Sequence, residues 1–219
     1  MEFVPKALIV GVFAAVQPSP AAPVTAEKIN RIWAEVAPRQ GYRQLQLAPD
    51  GSGAQFVGGH PDDGLTIQLP LIQVRANIEM TAEKAADEVQ TTFKTIAKHL
   101  GLGQFFNLGI KHVYHAPIPT NDARGHVLRR VLGKNEDEVG PLQRGGQFWG
   151  GVKYGAGAPD NSQFVLTIEP WLADDRFIFI DLDAQFPGVT TLDTLKDRAR
   201  DAEQYLTGAV REYLDSAEA

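Results

Sequence analysis

Two aspartates, Asp181 and Asp183, follow four large apolar residues in the segment FIFIDLDAQF. An apolar strand that runs into Asp-x-Asp presents the nucleophile or the metal ligands of several phosphoryl-transfer enzymes. With Glu169 as a third carboxylate, the pair gives our alternative hypothesis, a metal-dependent enzyme of phosphate chemistry. Alternation along a strand places both aspartates on one face with Phe177 and Phe179. The favoured interpretation is therefore a strand that emerges from the core into solvent.

The surroundings of the aspartate pair lack the rest of a phosphoryl-transfer site. No Gly-Thr follows the second aspartate, as it does in haloacid-dehalogenase-type sites, and the chain has no GxxxxGK[ST] phosphate loop. A polymerase-type or cyclase-type site would need Glu169 on the same face, and a one-residue slip in strand register would invert that face. We predict no catalytic residue, no metal site and no cofactor.

Other groups capable of catalysis are scarce or badly spaced. The chain has no cysteine, which excludes disulfides, thiolate nucleophiles, iron–sulfur clusters and cysteine-ligated zinc. His112 and His115 lie three residues apart in a predicted strand, so their imidazoles point to opposite faces and cannot bind one metal ion together. None of the serines lies in a GxSxG elbow.

Aromatic side chains near the glycine-rich segment 144–157 indicate a different function. Glycine pairs beside aromatics in a strand are typical of bulges and sheet curvature rather than of phosphate binding. We predict a non-catalytic module that binds a protein partner or a small ligand in a groove between sheet and helices. The residues assigned to this ligand site are Phe148, Trp149, Tyr154, Trp171, Arg129 and Arg130.

The charge pattern narrows the class of partner. Arg129 and Arg130 belong to a segment that also carries Glu136, Asp137 and Glu138, and such mixed charge favours a solvated loop over an anion or partner contact. The chain has 21 Lys+Arg against 27 Asp+Glu and a net charge of -6, which opposes the field that nucleic-acid binders use. No nucleic-acid partner is expected.

An apolar run at 7–16 decides between a secreted, a membrane and a cytoplasmic protein. The run is too short to span a bilayer, and the residues before it carry one Glu and one Lys, unlike the positively charged start of a signal peptide. We predict that it is a strand buried inside the sheet. A cytoplasmic protein with no membrane contact is expected.

Helical periodicity predicts three helices that position these groups. One is capped by Thr25 and ends near Gly41, and a second is capped by Thr81 and ends near Gly101. A terminal helix of about 191–214 is predicted to pack one apolar stripe on a sheet, within its own chain or across a homodimer. The stripe consists of Leu192, Leu195, Ala199, Ala202, Leu206, Ala209 and Tyr213.

Alternating apolar residues predict the strands. A hairpin is expected around 45–57 and a long strand at 65–80, with Pro70 at an edge or a bulge. Further strands are predicted at 109–118, 147–155, 163–171 and 176–183. Residues 1–103 and 104–219 then share the order β-α-β-β-β-α. We predict one α+β domain, a mainly antiparallel sheet with helices packed on one face, possibly built from two pseudo-repeated halves.

Two segments resemble a known family. The strand LGIKHVYHAPIP at 108–119 is similar to the G-[ILV]-R-Y-[IV]-N-R-I strand of a sporadically distributed bacterial family of uncharacterised proteins. The stretch 177–213 resembles the IDiD strand and long C-terminal helix of that family. Here Lys111-His112 replaces the family's Arg-Tyr, and Tyr114-His115 replaces its Asn-Arg. The resemblance implies a bacterial cytoplasmic protein and assigns no catalytic residue.

Overall fold

One antiparallel sheet of nine strands organises the computed structural model, which describes residues 2–14, 24–59, 63–77, 82–142 and 149–216. The strands are β1 (Val4–Ala14), β2 (Gln44–Leu47), β3 (Gly53–Val57), β4 (Gly64–Gln68), β5 (Leu71–Asn77), β6 (Phe105–Pro117), β7 (Val152–Gly157), β8 (Gln163–Pro170) and β9 (Phe177–Thr190). Their order across the sheet is β2-β3-β4-β5-β1-β6-β9-β8-β7.

The helices cover one face of this sheet. They are α1 (Ala26–Gln40), α2 (Ala82–Leu100), α3 (Ala123–His126) with a π-helical turn (Val127–Val131), and α4 (Glu136–Val139) with a 3-10 turn (Gly140–Leu142). The terminal helix has four parts: a 3-10 turn (Leu192–Thr194), α5 (Leu195–Tyr205), a π-helical turn (Leu206–Val210) and α6 (Arg211–Ser216). The predicted α+β fold with helices on one face is confirmed. No helix among the described residues has both the length and the apolar character that crossing a bilayer requires.

The predicted first strand lies at the centre of the sheet. β1 pairs with β5 on one side and β6 on the other, and Leu8 and Val10 are fully buried under the helices. The predicted strand is confirmed as far as Ala14, and its burial under the helices is confirmed at Leu8 and Val10. The last two residues of the predicted run lie outside the described part of the chain.

The first helix begins and ends where its capping residues predict. The Thr25 hydroxyl accepts a hydrogen bond from the Lys28 amide, and Gly41 adopts the left-handed conformation with φ of 69°. Gly101, with φ of 68°, follows the end of α2 in the same way. The cap predicted at Thr81 lies outside the described residues.

The long strand predicted at 65–80 is wrong. The chain reverses at Leu69-Pro70, a cis peptide bond, and forms the hairpin β4–β5. Proline has no N–H to donate to a strand ladder, and a turn position does not require one. Four strands therefore follow α1, whereas three follow α3. Each half still places its first strand at the centre with its last strand beside it. The pseudo-repeat stays a prediction.

The terminal helix packs on the sheet with a stripe that differs from the predicted one. Leu195, Ala199, Ala202 and Leu206 are buried as expected. Beyond Leu206 the predicted positions Ala209 and Tyr213 are exposed, and the buried ones are Val210 and Leu214. The cause is the π-helical turn Leu206–Val210, which inserts an extra residue and rotates the following turns.

Candidate functional site

A groove opens between the terminal helix and strands β7 and β8. Its volume is about 290 Å³, and its exposed lining is mainly apolar. We call it the tyrosine groove. Its lining residues are Tyr154, Leu166, Tyr205, Ala209, Val210 and Tyr213.

Two of the three tyrosines that line the groove, Tyr154 and Tyr213, meet through their hydroxyl groups. The hydroxyls of Tyr154 and Tyr213 are 2.8 Å apart, and the rings meet edge to face with centroids 5.7 Å apart. The side chains are 41% and 38% exposed respectively, so both hydroxyls can be reached from solvent. The hydrogen bond with Tyr154, together with some burial, raises the pKa of Tyr213 to about 12. Tyr213 is therefore neutral at physiological pH, and the two hydroxyls together offer a donor and an acceptor.

The walls of the groove belong to the protein core. Leu166 on β8 and Val210 on the helix are both buried, and the Tyr205 ring packs on Phe164 with centroids 5.1 Å apart. Ala209 reaches the groove because the π-helical turn has rotated it away from the sheet. A rigid apolar wall with a small side chain at its mouth can admit a ligand without rearrangement.

The predicted ligand-binding residues are not all brought together. Tyr154 lines the groove, and Trp149 stands three residues before the start of β7 with 58% of its surface exposed. Trp171 lies on the opposite face of the sheet, against His115 with ring centroids 4.0 Å apart. Phe148 lies outside the described residues. The prediction that these aromatics share one groove is therefore wrong for Trp171.

The two predicted arginines lie on the π-helical turn that follows α3. Arg129 donates to Asp122 at 3.0 Å, and the Asp122 carboxylate also accepts a hydrogen bond from the Gly125 amide at 2.8 Å. These contacts, the backbone one first, hold the pKa of Asp122 below its usual range against the opposing effect of burial. A Cβ atom at Gly125 would lie 2.0 Å from the Asp122 carboxylate, so only glycine permits this arrangement. Arg130 is exposed, and neither arginine lines the tyrosine groove.

The aspartate pair lies on the open face of the sheet, the face without helices. Asp181 Oδ2 is 2.6 Å from Lys111 Nζ, and the Asp181 side chain is only 15% exposed. Burial raises the pKa of Asp181, and Lys111 partly opposes that effect. Asp183 accepts a hydrogen bond from the Gln185 side chain. Each carboxylate thus has a protein partner.

The expectation that the pair ends its strand is wrong. β9 continues to Thr190, so Asp181 and Asp183 lie in its middle and are only partly exposed. The strand extends because β6 pairs with it as far as Phe105↔Thr190, a partner some 80 residues away in the chain that periodicity does not reveal.

The third carboxylate of the alternative hypothesis shares this face. Glu169 lies opposite Phe179, two register pairs from Thr167↔Asp181 and so on the same face. Among the described residues, however, no group of three His, Cys, Asp or Glu side chains is placed to hold a metal ion. The Asp181–Lys111 ion pair further occupies one carboxylate that such a metal would need.

The two strand histidines lie on opposite faces, as their spacing predicts. His112 Nε2 is 3.2 Å from the Ala199 carbonyl oxygen under the terminal helix, and burial lowers the pKa of His112 to about 4. His115 is buried beside Trp171 on the open face, and burial, followed by nearby Lys6, lowers its pKa to about 4. Both rings are therefore neutral at physiological pH.

Sequence reasoning missed most of the groove. The predicted site lacks Leu166, Tyr205 and Val210. The sequence analysis places Ala209 and Tyr213 in the apolar stripe that packs on the sheet. One signal was present: tyrosines at 205 and 213 flank Gly208 in an otherwise helical segment, and an interior glycine that costs helix stability often has a local reason. No family model matches this chain, and no curated protein matches it in sequence.

Proposed function

We propose that this protein is a non-catalytic module that binds a small, largely apolar ligand in the tyrosine groove. The observation that carries the proposal is an apolar opening between sheet and helix with two hydroxyl groups at its side. Concave apolar sites with a few convergent polar groups are the usual form of small-molecule sites. The volume of about 290 Å³ suits a ligand of one or two rings.

The chemistry of the lining favours binding over catalysis. The titratable lining groups are the phenols of Tyr154, Tyr205 and Tyr213, and the raised pKa of Tyr213 makes it a poor general base at neutral pH. A nucleophile with an adjacent base is missing from the lining. The groove can orient a neutral ligand by one hydrogen bond and hold it by apolar contact.

The family resemblance sets the context of the proposal. It favours a bacterial cytoplasmic protein, in which the groove would bind a metabolite or a side chain of a protein partner. A homodimer formed through the terminal helix is not needed to bury the helix stripe, since the sheet of the same chain does so.

Binding can be tested with indole and 2-naphthol as probes, followed by amide shifts in heteronuclear NMR spectra. Ala209→Trp should fill the groove and abolish saturable binding, whereas Ala34→Trp, on an exposed position of α1, should leave it unchanged. Tyr154→Phe should weaken 2-naphthol about tenfold, equivalent to one hydrogen bond, and affect indole less. Equal binding by the Ala209→Trp and Ala34→Trp variants would overturn the proposal.

The metal-dependent phosphate enzyme is the second hypothesis, because Asp181, Asp183 and Glu169 do share one face. Its test is thermal denaturation with and without Mg²⁺. A rise in melting temperature with Mg²⁺ that disappears in Asp183→Ala would favour it over the binding module.

A further inference from the structure

A trough crosses the centre of the open face of the sheet. Its floor is formed by Gly11 on β1 and Gly109 on β6, which lie directly opposite each other. The trough has a volume of about 300 Å³, and we call it the glycine trough. The other lining residues are Ile9, Leu71, Gln73, Lys111, Asp183 and Gln185.

The paired glycines are not required by the backbone. Neither belongs to the glycines with positive φ, and a Cβ at Gly11 would meet its nearest side chain, Leu71, at an ordinary 3.8 Å. Glycine inside a strand costs about 0.5–1 kcal/mol relative to alanine. At Gly109, however, a Cβ would lie 3.1 Å from the Gln185 amide nitrogen, so the Gln185 side chain covers that glycine. The two glycines therefore provide a low floor whose peptide groups are bare at Gly11, a place where a ligand can approach the backbone closely.

The ends of this patch carry amide side chains. Gln73 lies opposite Gly11, and Gln185 lies opposite Gly109, so Gln73, Gly11, Gly109 and Gln185 form one row across four neighbouring strands. Amide oxygens at both ends of a flat floor can accept hydrogen bonds from a planar donor that lies between them.

Asp183 is the carboxylate that lines the trough. Lys111 lies opposite Asp183 in the register, yet its ammonium group contacts Asp181 at 2.6 Å. Asp183 accepts a hydrogen bond from the neutral Gln185 amide, and none of the ion pairs among the described residues includes it. Arg75, opposite Ile9, is the cation at the other end of this register row. The Asp183 end of the trough therefore has a carboxylate with no cation of the described residues in contact, which favours a cationic ligand there.

We propose that the glycine trough binds a guanidinium group, a site independent of the tyrosine groove. A guanidinium is planar, weakly hydrated and carries five N–H donors, so it can lie flat on Gly11 beside the Gln185 amide, donate to the Asp183 carboxylate and reach the amide oxygen of Gln73. Ile9 and Leu71 flank the floor and fit the alkyl chain that carries such a group. The source of the group is a free guanidine compound or an arginine side chain.

The test follows the backbone amide signals of Gly11 and Gly109 in the full-length protein. Methylguanidine should shift both signals in a saturable way at millimolar concentration, and butylamine should do so at least fivefold more weakly. The blocked peptide acetyl-Ala-Arg-Ala-amide separates the sources: tighter binding than methylguanidine assigns an arginine of a partner, and equal or weaker binding assigns a free compound. Absence of saturable shifts with both guanidinium probes, or equal affinity for butylamine, would overturn the assignment.

Two variants with matched controls complete the test. Asp183→Asn should abolish binding of methylguanidine, whereas Asp201→Asn, an exposed residue of α5, should not change it. Gly11→Ala should weaken binding at least tenfold while raising the melting temperature, because the methyl group fills the floor without strain. Gly155→Ala, on edge strand β7 with no neighbour within 4 Å, should leave binding unchanged. Unaltered affinity in Gly11→Ala would contradict the proposal even if the variant is more stable.

Discussion

The two faces of the nine-stranded sheet are built from alternate residues of the same strands, but the polar groups on the two faces have different kinds of partner. On the helix-covered face, His112 contacts the Ala199 carbonyl oxygen, and the Tyr114 hydroxyl donates to Glu203 at 3.1 Å. On the open face, Lys111 and Asp181 pair with each other and Asp183 has no ion pair among the described residues. The polar groups of the covered face thus contact the terminal helix, although the buried His112 Nδ1 has no hydrogen-bond partner among the described residues. The open face, by contrast, keeps charge available to solvent.

The comparison shows where a ligand can bind on this fold. The covered face is closed by apolar packing except where the π-helical turn opens the tyrosine groove. On the open face, Gly11 and Gly109 leave the trough between the side chains of neighbouring strands. Both candidate sites are therefore local interruptions of a regular pattern, which is where functional sites are expected.

The largest effect is expected on the covered face. Leu206→Ala removes a side chain that is 0% exposed and should lower the free energy of unfolding by about 2–5 kcal/mol, since the cavity adds to the lost transfer energy. Urea denaturation measures this change. Leu172→Ala, at a position 53% exposed, should cost less than about 0.5 kcal/mol. Similar losses for both variants would contradict the assignment of the covered face as the core.

The second effect depends on pH. His112 has a pKa of about 4 in the folded protein and about 6.5 when unfolded, so below pH 6.5 the unfolded state binds more protons and stability falls. The loss should approach about 3 kcal/mol as the pH nears 4, with no contribution from His112 above pH 7. Urea midpoints between pH 7.5 and 4.5 measure it.

The variant His112→Gln sharpens this prediction. It should remove the contribution of His112 and leave that of His115, whose pKa is also lowered to about 4, whereas His115→Gln, the corresponding change on the open face, should leave the contribution of His112 in place. An unchanged pH profile in His112→Gln would show that the ring is not buried neutral.

A smaller effect is expected from the ion pair on the open face. Lys111→Met leaves the Asp181 carboxylate, 15% exposed, without its cation and should cost about 1–3 kcal/mol at pH 7. The double variant with Asp181→Asn should recover part of this loss, and the coupling energy from a double-mutant cycle measures it. Strictly additive effects would mean that the pair contributes nothing.

The smallest effect is expected at Asp183. Asp183→Ala removes one hydrogen bond to an exposed amide and also relieves repulsion of Asp181, so stability should change by no more than about 0.5 kcal/mol. Thermal denaturation at neutral pH tests this. A loss above 1.5 kcal/mol would show that Asp183 supports the fold.

Local patterns predicted the elements whose causes are local. The cap at Thr25, the apolar run of β1 and the stripe as far as Leu206 depend on neighbours in sequence, and the structure confirms them. Pro70 was misread because the same proline is compatible with a strand edge and with a turn. The helices on one face followed from strands that alternate apolar and polar residues.

The candidate sites depend on relations between distant segments. Gly11 and Gly109 become a floor only because the register of β1 and β6 sets them opposite each other, and no periodicity within either strand contains that register. The shift from Ala209 and Tyr213 to Val210 and Leu214 arises from a single π-helical turn, which helical spacing assumes to be absent. The sequence analysis selects Tyr154 because it is an aromatic residue near the glycine-rich segment. It does not identify Tyr213 as the residue whose hydroxyl contacts Tyr154.

The order of strands also bears on how the chain assembles. Connections of two to six residues join β2 through β5 and β7 through β9, so each meander closes small loops at low entropic cost. The central pairing of β1 with β6 joins residues about 90 to 110 apart in the chain and requires both flanking meanders to be near. We therefore expect the two meanders of outer strands to form first and the central strands β1 and β6 to pair last. The rate of folding should then be set by the pairing of β1 with β6.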